Sequence, residues 1–308
     1  MEELLDRNLL VVTGKGGVGK STMSAALGLL AAREGRRTIV VEVGDESRLA
    51  SLFGVTPPAP GVETRLEEHL STISIDPDRA LLEWLQVLGG RVSGRLLASS
   101  GTFQYFAAAA PGARELVSMV KVWQLTKGVR RRGAGYDLVV LDAPATGHAL
   151  GLLASPQTFG AIARVGPIAG QTRHVRDLLE DPERTAYLAV ALPTEMAVTE
   201  ALELQDGLER QLERSLTAVI VNGLLPRRFT TAELSRLAAL EVSGREGAVI
   251  QAATRAAQAV HERARLQHNQ LARLRRRSFE VLAVPFVWSP QLELAGVREI
   301  AQRLARKV

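Results

Sequence analysis

Short apolar, β-branched runs recur along the chain at 9–13 (LLVVT), 38–43 (TIVVEV), 138–141 (LVVL), 187–192 (YLAVAL), 217–221 (TAVIV) and 281–284 (VLAV). Runs of this length that are apolar at nearly every position, rather than at alternate ones, predict strands buried on both faces. Between them, segments 21–34, 194–212 and 245–276 carry apolar residues at helical spacing. Strands alternating with helices predict an α/β fold built on a doubly wound, mostly parallel sheet covered on both sides. The stretch 76–132 breaks this rhythm. It carries no strand signal, and Leu81, Leu82, Leu85 and Leu88, then Leu116, Met119, Val120 and Trp123, fall at helical spacing. It is therefore predicted to be a helical subdomain inserted into a single domain spanning 1–308. Segment 290–308 predicts a closing helix with Leu294, Val297, Ile300, Ala301 and Leu304 on the face that packs on the sheet.

Composition narrows the function classes. With 308 residues, 46% of them hydrophobic, there is ample material for a large core. The absence of cysteine excludes disulfides, thiolate zinc sites and cysteine nucleophiles, so zinc is not expected. The apolar runs fall far short of the roughly 20 residues that span a bilayer. The chain opens on Glu2, Glu3 and Asp6 rather than a basic leader, which makes the cytoplasm the expected location. The net charge of +5 is spread over the chain, so neither nucleic acid nor direct membrane binding is expected. The arginine runs at 130–132 and 273–277 read as solvated helix faces.

The densest chemical signal is Gly14-Lys15-Gly16-Gly17-Val18-Gly19-Lys20-Ser21, which fills GxxxxGK[ST] between a predicted strand and a predicted helix. Such a loop turns successive backbone N–H groups toward phosphate oxygens, and the following helix adds its positive end. Lys20 is expected to span the β- and γ-phosphates, Ser21 to hold Mg²⁺, and Thr22 to reach the α-phosphate. Asp142 closes the predicted strand at 138–141 and is expected to act on Mg²⁺ through a water. Lys15 is not needed to cradle phosphates within one subunit.

KGGVGKST resembles the signature of the deviant-Walker-A ATPases, a SIMIBI-like class of P-loop NTPase. The resemblance implies that Lys15 reaches the nucleotide of a partner subunit and stabilises the transferred phosphoryl group. The text DAPATGHAL followed by GLLASP is similar to switch II of the arsenite-pump and tail-anchored-protein-targeting ATPases, the ArsA family. This assigns Asp142, Pro144, Thr146, Gly147 and His148 to switch II. By the same likeness Asn222 hydrogen-bonds adenine, and Pro285 and Phe286 pack on it. ATP or ADP with Mg²⁺ is the implied ligand set.

The same resemblance implies a dimer, either of two copies or with a paralogous ATPase, acting on a protein or hydrophobic client. A groove in the helical insertion, formed by Leu96, Leu97, Phe103, Tyr105, Phe106, Leu116, Met119, Val120 and Trp123, would hold the client; packing within the subdomain's own core is the favoured alternative. One segment departs from the family text. Aligned on Phe53-Gly54, Gly44 stands where a TDPAHNLSDAFG-like run carries the aspartate that orients the attacking water. Asp45 and Glu42 are the replacements, with Asp45 preferred because it lies in the turn, and weak turnover is expected. The competing readings are a nucleotide-gated module with little hydrolysis and a ParA/MinD-type positioning ATPase.

Overall fold

The computed structural model describes residues 2–88, 112–127, 135–162, 167–240, 244–289 and 293–306. A short helix, α1 (Glu2–Leu5), leads into β1 (Leu9–Gly14), whose residues are all buried. Then follow α2 (Lys20–Arg33), β2 (Thr38–Val43), α3 (Arg48–Leu52), β3 (Thr64–Glu67), β4 (Leu70–Ile75) and α4 (Pro77–Leu88). Next come α5 (Ala113–Thr126), β5 (Leu138–Ala145), α6 (Thr146–Ile162), α7 (Pro167–Glu180), β6 (Thr185–Ala191) and α8 (Glu195–Leu212). The described chain closes with β7 (Ala218–Leu224), α9 (Thr231–Ala238), α10 (Gly244–Leu274), β8 (Glu280–Pro285) and α11 (Leu294–Ala305).

The eight strands form one sheet in the order β3-β4-β2-β5-β1-β6-β7-β8. All neighbours are parallel except the edge pair β3 and β4. The six strands expected from the sequence are present, and β3 and β4 are additional. β4 reads LSTISI, and its Ser71, Thr72 and Ser74 mask the strand signal. Thr72 and Ser74 are nonetheless buried, and the Thr72 hydroxyl donates to the Val40 carbonyl at 3.0 Å. β4 ends at Ile75, and α4 follows at Pro77.

Helix α2 is buried on nearly every side, from Met23 to Ala32. The sheet lies on one side, and α11 packs on the other through Val297, Ile300, Ala301 and Leu304, all buried. A helix enclosed this way has no polar face to show. The closing helix therefore packs on α2 and β8, not on the sheet alone as anticipated. On the other side of the molecule α4 and α5 pack together, and α5 joins α6 and α7. Leu116, Met119, Val120 and Trp123 are buried in this helical layer. Trp123 stacks on His174, with ring centroids 4.9 Å apart, and Trp84 Nε1 donates to Gln171 Oε1 at 2.5 Å. These four residues belong to the one buried cluster that also contains the sheet, whereas Leu96, Leu97, Phe103, Tyr105 and Phe106 lie outside the described residues. The arginines at 130–132 lie outside them as well.

Candidate nucleotide site

In an open parallel sheet the carboxyl ends of the strands carry the ligands. Here the carboxyl end of β1 runs directly into the glycine-rich loop that starts α2. Gly14 is pinned there by close approach. With φ at 146°, a Cβ on it would sit 2.2 Å from the Val190 carbonyl oxygen of β6. Gly19 caps α2 with φ at 93°, and a Cβ on it would sit 2.6 Å from Asn222 Nδ2. Gly16, Gly17 and Val18 complete the loop, with Val18 buried and the two glycines exposed.

On one side of the loop a cleft of about 340 Å³ collects Lys20, Ser21, Asp142, Pro144, the turn 43–46 and Arg48. The Ser21 hydroxyl donates to Asp142 Oδ2 at 2.5 Å, and the Ser24 hydroxyl to Oδ1 at 3.2 Å. Burial pushes the Asp142 carboxyl above its ordinary range, against the pull of the Ser21 hydrogen bond and Lys20. Burial likewise lowers Lys20, opposed by Asp142, and Lys20 Nζ donates to the Lys15 carbonyl at 3.2 Å. A hydroxyl and a buried carboxylate side by side are the hard oxygen donors that suit Mg²⁺. That ion takes few protein ligands and keeps waters and phosphate oxygens for the rest.

Asp142 does not end its strand. β5 continues to Ala145, with Asp142 in register with Val12 and Glu42, and Ala145 with Gly14. Pairing beside the P-loop holds this stretch in place, and the Thr13 hydroxyl adds a bond to the Pro144 carbonyl at 2.8 Å. Thr146 then opens α6 directly. Its hydroxyl is buried with no hydrogen-bond partner among the described residues, while Gly147 and His148 are exposed.

The turn after β2 separates the two acids considered there. Glu42 is 5% exposed, and its carboxylate accepts from the Ser47 hydroxyl at 2.8 Å, Arg48 N–H at 2.9 Å and Leu49 N–H at 3.2 Å. It serves as the anchor of α3. Asp45 is exposed and lines the cleft. Gly44 has φ at 152°, which a side chain rarely adopts, and its N–H donates to the Ile75 carbonyl at 2.9 Å.

On the other side of the loop a cleft of about 610 Å³ is bounded by Gly17–Gly19, Thr22, Asn222 and the segment 286–288. Asn222 Nδ2 donates to the Val18 carbonyl at 2.9 Å, tying β7 to the P-loop. Phe286 and Trp288 meet edge to face, with ring centroids 4.8 Å apart, and both are exposed. Pro285 ends β8 and does not line this cleft; the aromatic wall is made by Phe286 and Trp288. Trp288, Arg263 and Gln267 escape a reading of the sequence. A solvent-facing tryptophan after a strand has no periodic signature, and α10 supplies the other two from a helix that otherwise reads as solvated.

Lys15 belongs to neither cleft. Its Nζ lies 3.2 Å from Glu200 and 2.8 Å from Met196 Sδ, both on α8, beside Thr146 and Gly147.

A family model described as anion-transporting ATPase matches residues 7–165. ATPase BagA from Mycobacterium tuberculosis is 33% identical over 243 residues, 76% of this chain and 70% of its own length. The chain belongs to the anion-transporting ATPase family. It is an ATPase of that family, and the matched span holds the P-loop, the turn after β2 and the Asp142–His148 segment. A putative arsenical pump-driving ATPase from Halobacterium salinarum is 28% identical over 74% of this chain and 38% of its own length. ATPase GET3 from Paracoccidioides lutzii is 29% identical over 56% of this chain and 50% of its own length. Among the described residues no helix of this anion-transporting ATPase family member is long and apolar enough to cross a membrane.

Proposed function

We propose that this chain is one ATPase domain with a helical subdomain, binding Mg²⁺ and ATP across its two clefts and hydrolysing ATP as a dimer. The base lies between Asn222 and the Phe286–Trp288 wall, and the phosphates run through the P-loop to Lys20, Ser21 and Asp142. Ser21 would hold Mg²⁺ directly and Asp142 through a water, and the ion would supply charge neutralisation at the phosphate oxygens. Asp45, in the turn, orients the attacking water. The partner is a second copy or a paralogous ATPase.

The observation that carries this reading is the direction of Lys15. It turns away from the phosphate site that Lys20 serves and lies on the surface of α8, within reach of Thr146 and Gly147. A cation on that surface is available to a nucleotide in a facing subunit, where it acts as an arginine finger does. Changes at Gly147 and His148 on ATP turnover would pass along α6 into the layer of α4, α5 and α7, opening and closing it around a protein or hydrophobic client. A relative named as a putative arsenical pump-driving ATPase supports an energy-coupling role. A thiolate route for arsenite is not available to a chain without cysteine.

A second reading, a nucleotide-gated module with little turnover, is favoured by Gly44. Steady-state ATP turnover, with light scattering in ADP and in a non-hydrolysable analogue, separates the two. Turnover lost in Lys15→Ala, with a nucleotide-strengthened dimer, supports the first. Tight ATP binding without turnover supports the second.

A further inference from the structure

Arg48 opens α3 and lines the cleft of Lys20, Ser21 and Asp142. Its main chain is anchored, through its own N–H on Glu42 and through the neighbouring Ser47 and Leu49 on the same carboxylate. The turn is tied at its other end by Gly44 to Ile75. Its side chain is exposed, and among the described residues no carboxylate forms an ion pair with the guanidinium.

The two clefts meet at the P-loop. Gly17–Gly19 and Thr22 border the one with the aromatic wall, and Lys20 and Ser21 the one with Arg48. A nucleotide with its base against Phe286 and Trp288 therefore has its last phosphate in the cleft of Arg48. A guanidinium presents a planar fork of donors matched to two phosphate oxygens, and it stays charged at every working pH.

We propose that Arg48 is a γ-phosphate-binding residue supplied by the turn after β2, which makes this site discriminate ATP from ADP. The proposal rests on the ATP reading of the two clefts. The loop amides hold what ATP and ADP share, Lys20 spans the β- and γ-phosphates, and Arg48 adds a second cation to the phosphate that ADP lacks. From that turn it places a permanent positive charge at the terminal phosphate.

Calorimetric titration of the full chain with Mg²⁺-ADP and with Mg²⁺-β,γ-imido-ATP tests this in wild type, Arg48→Ala and Arg48→Lys. Removing a charge-assisted bond to phosphate should weaken the imido-ATP complex of Arg48→Ala by about tenfold and leave ADP affinity within about twofold. Arg48→Lys should recover part of the loss. Because the side chain holds no pair, melting of the unliganded protein should be unchanged; if Arg48→Ala fails to fold, Arg48→Lys carries the comparison through a reduced preference for imido-ATP over ADP. Equal losses for both nucleotides, or no loss for either, would overturn the proposal while leaving the ATP reading intact. A wild-type chain that binds neither nucleotide would remove the ATP reading itself, and this proposal with it.

Discussion

Lys15 and Glu200 form an ion pair of 3.2 Å that ties the P-loop to α8 of the same chain. Both side chains are partly exposed, so the pair contributes no more than about 1 kcal/mol. A phosphate carried by a facing subunit competes easily with one carboxylate for that lysine. Glu200→Gln should therefore shift nucleotide-dependent dimerisation to lower protein concentration, by about two- to fivefold. Sedimentation in the presence of an ATP analogue reads the shift.

The acids of the Mg²⁺ cleft give a pH dependence whose sign follows from their environment. Burial raises Asp142 and Glu42 above their ordinary values. An acid whose pKa is higher in the fold than in the unfolded chain contributes stability that is fully present below the unfolded value. That stability is lost as pH rises through the folded value. The unliganded protein should thus lose stability as pH climbs out of the ordinary carboxylate range, and Asp142→Asn should remove part of that loss. Thermal melts against pH, compared between wild type and variant, check this. Near neutral pH the variant should melt no lower than wild type, while Mg²⁺-dependent turnover falls by about a hundredfold or more.

Gly14 and Gly16 stand two positions apart in one loop and should differ sharply in their tolerance of alanine. A Cβ at Gly14 meets the Val190 carbonyl at 2.2 Å under a φ of 146°, so Gly14→Ala should cost about 2 kcal/mol or more. A Cβ at Gly16 meets nothing within 4 Å, and Gly16→Ala should stay within about 0.5 kcal/mol. Urea denaturation midpoints distinguish them.

Most of the sheet is legible in the sequence because buried parallel strands are apolar at nearly every position, as Leu9 to Val12 and Leu138 to Leu141 are. β4 is not, since the hydroxyls of Thr72 and Ser74 enter the core and hide the pattern. The P-loop is legible because phosphate binding fixes residue type and spacing together. The role of Glu42 as the anchor of α3 is not, because it depends on which acid the turn after β2 folds back upon. Trp288 is hidden for a related reason: its place beside Phe286 comes from the path of the chain after β8, with no periodic signal to announce it.

The aromatic wall makes its own prediction. Phe286→Ala and Trp288→Ala should each weaken ADP and ATP analogue alike, by roughly three- to tenfold, since stacking on the base does not depend on the last phosphate. Adding ADP to the wild type should change tryptophan emission, and Trp288→Phe should abolish that change. The uniform loss at the wall contrasts with the selective loss expected at Arg48.

The most direct test of a cross-subunit ATPase is a mixture of two disabled chains. Lys20→Ala removes the lysine that serves its own site, and Lys15→Ala the one offered to a facing site. Neither variant alone should turn over ATP. In a mixed dimer the Lys15→Ala chain keeps its own Lys20 and receives Lys15 from its partner, so one site is whole. Random pairing of equal amounts should restore about a quarter of wild-type activity. A mixture as inactive as its components, or a Lys15→Ala chain that retains full turnover alone, would contradict the account.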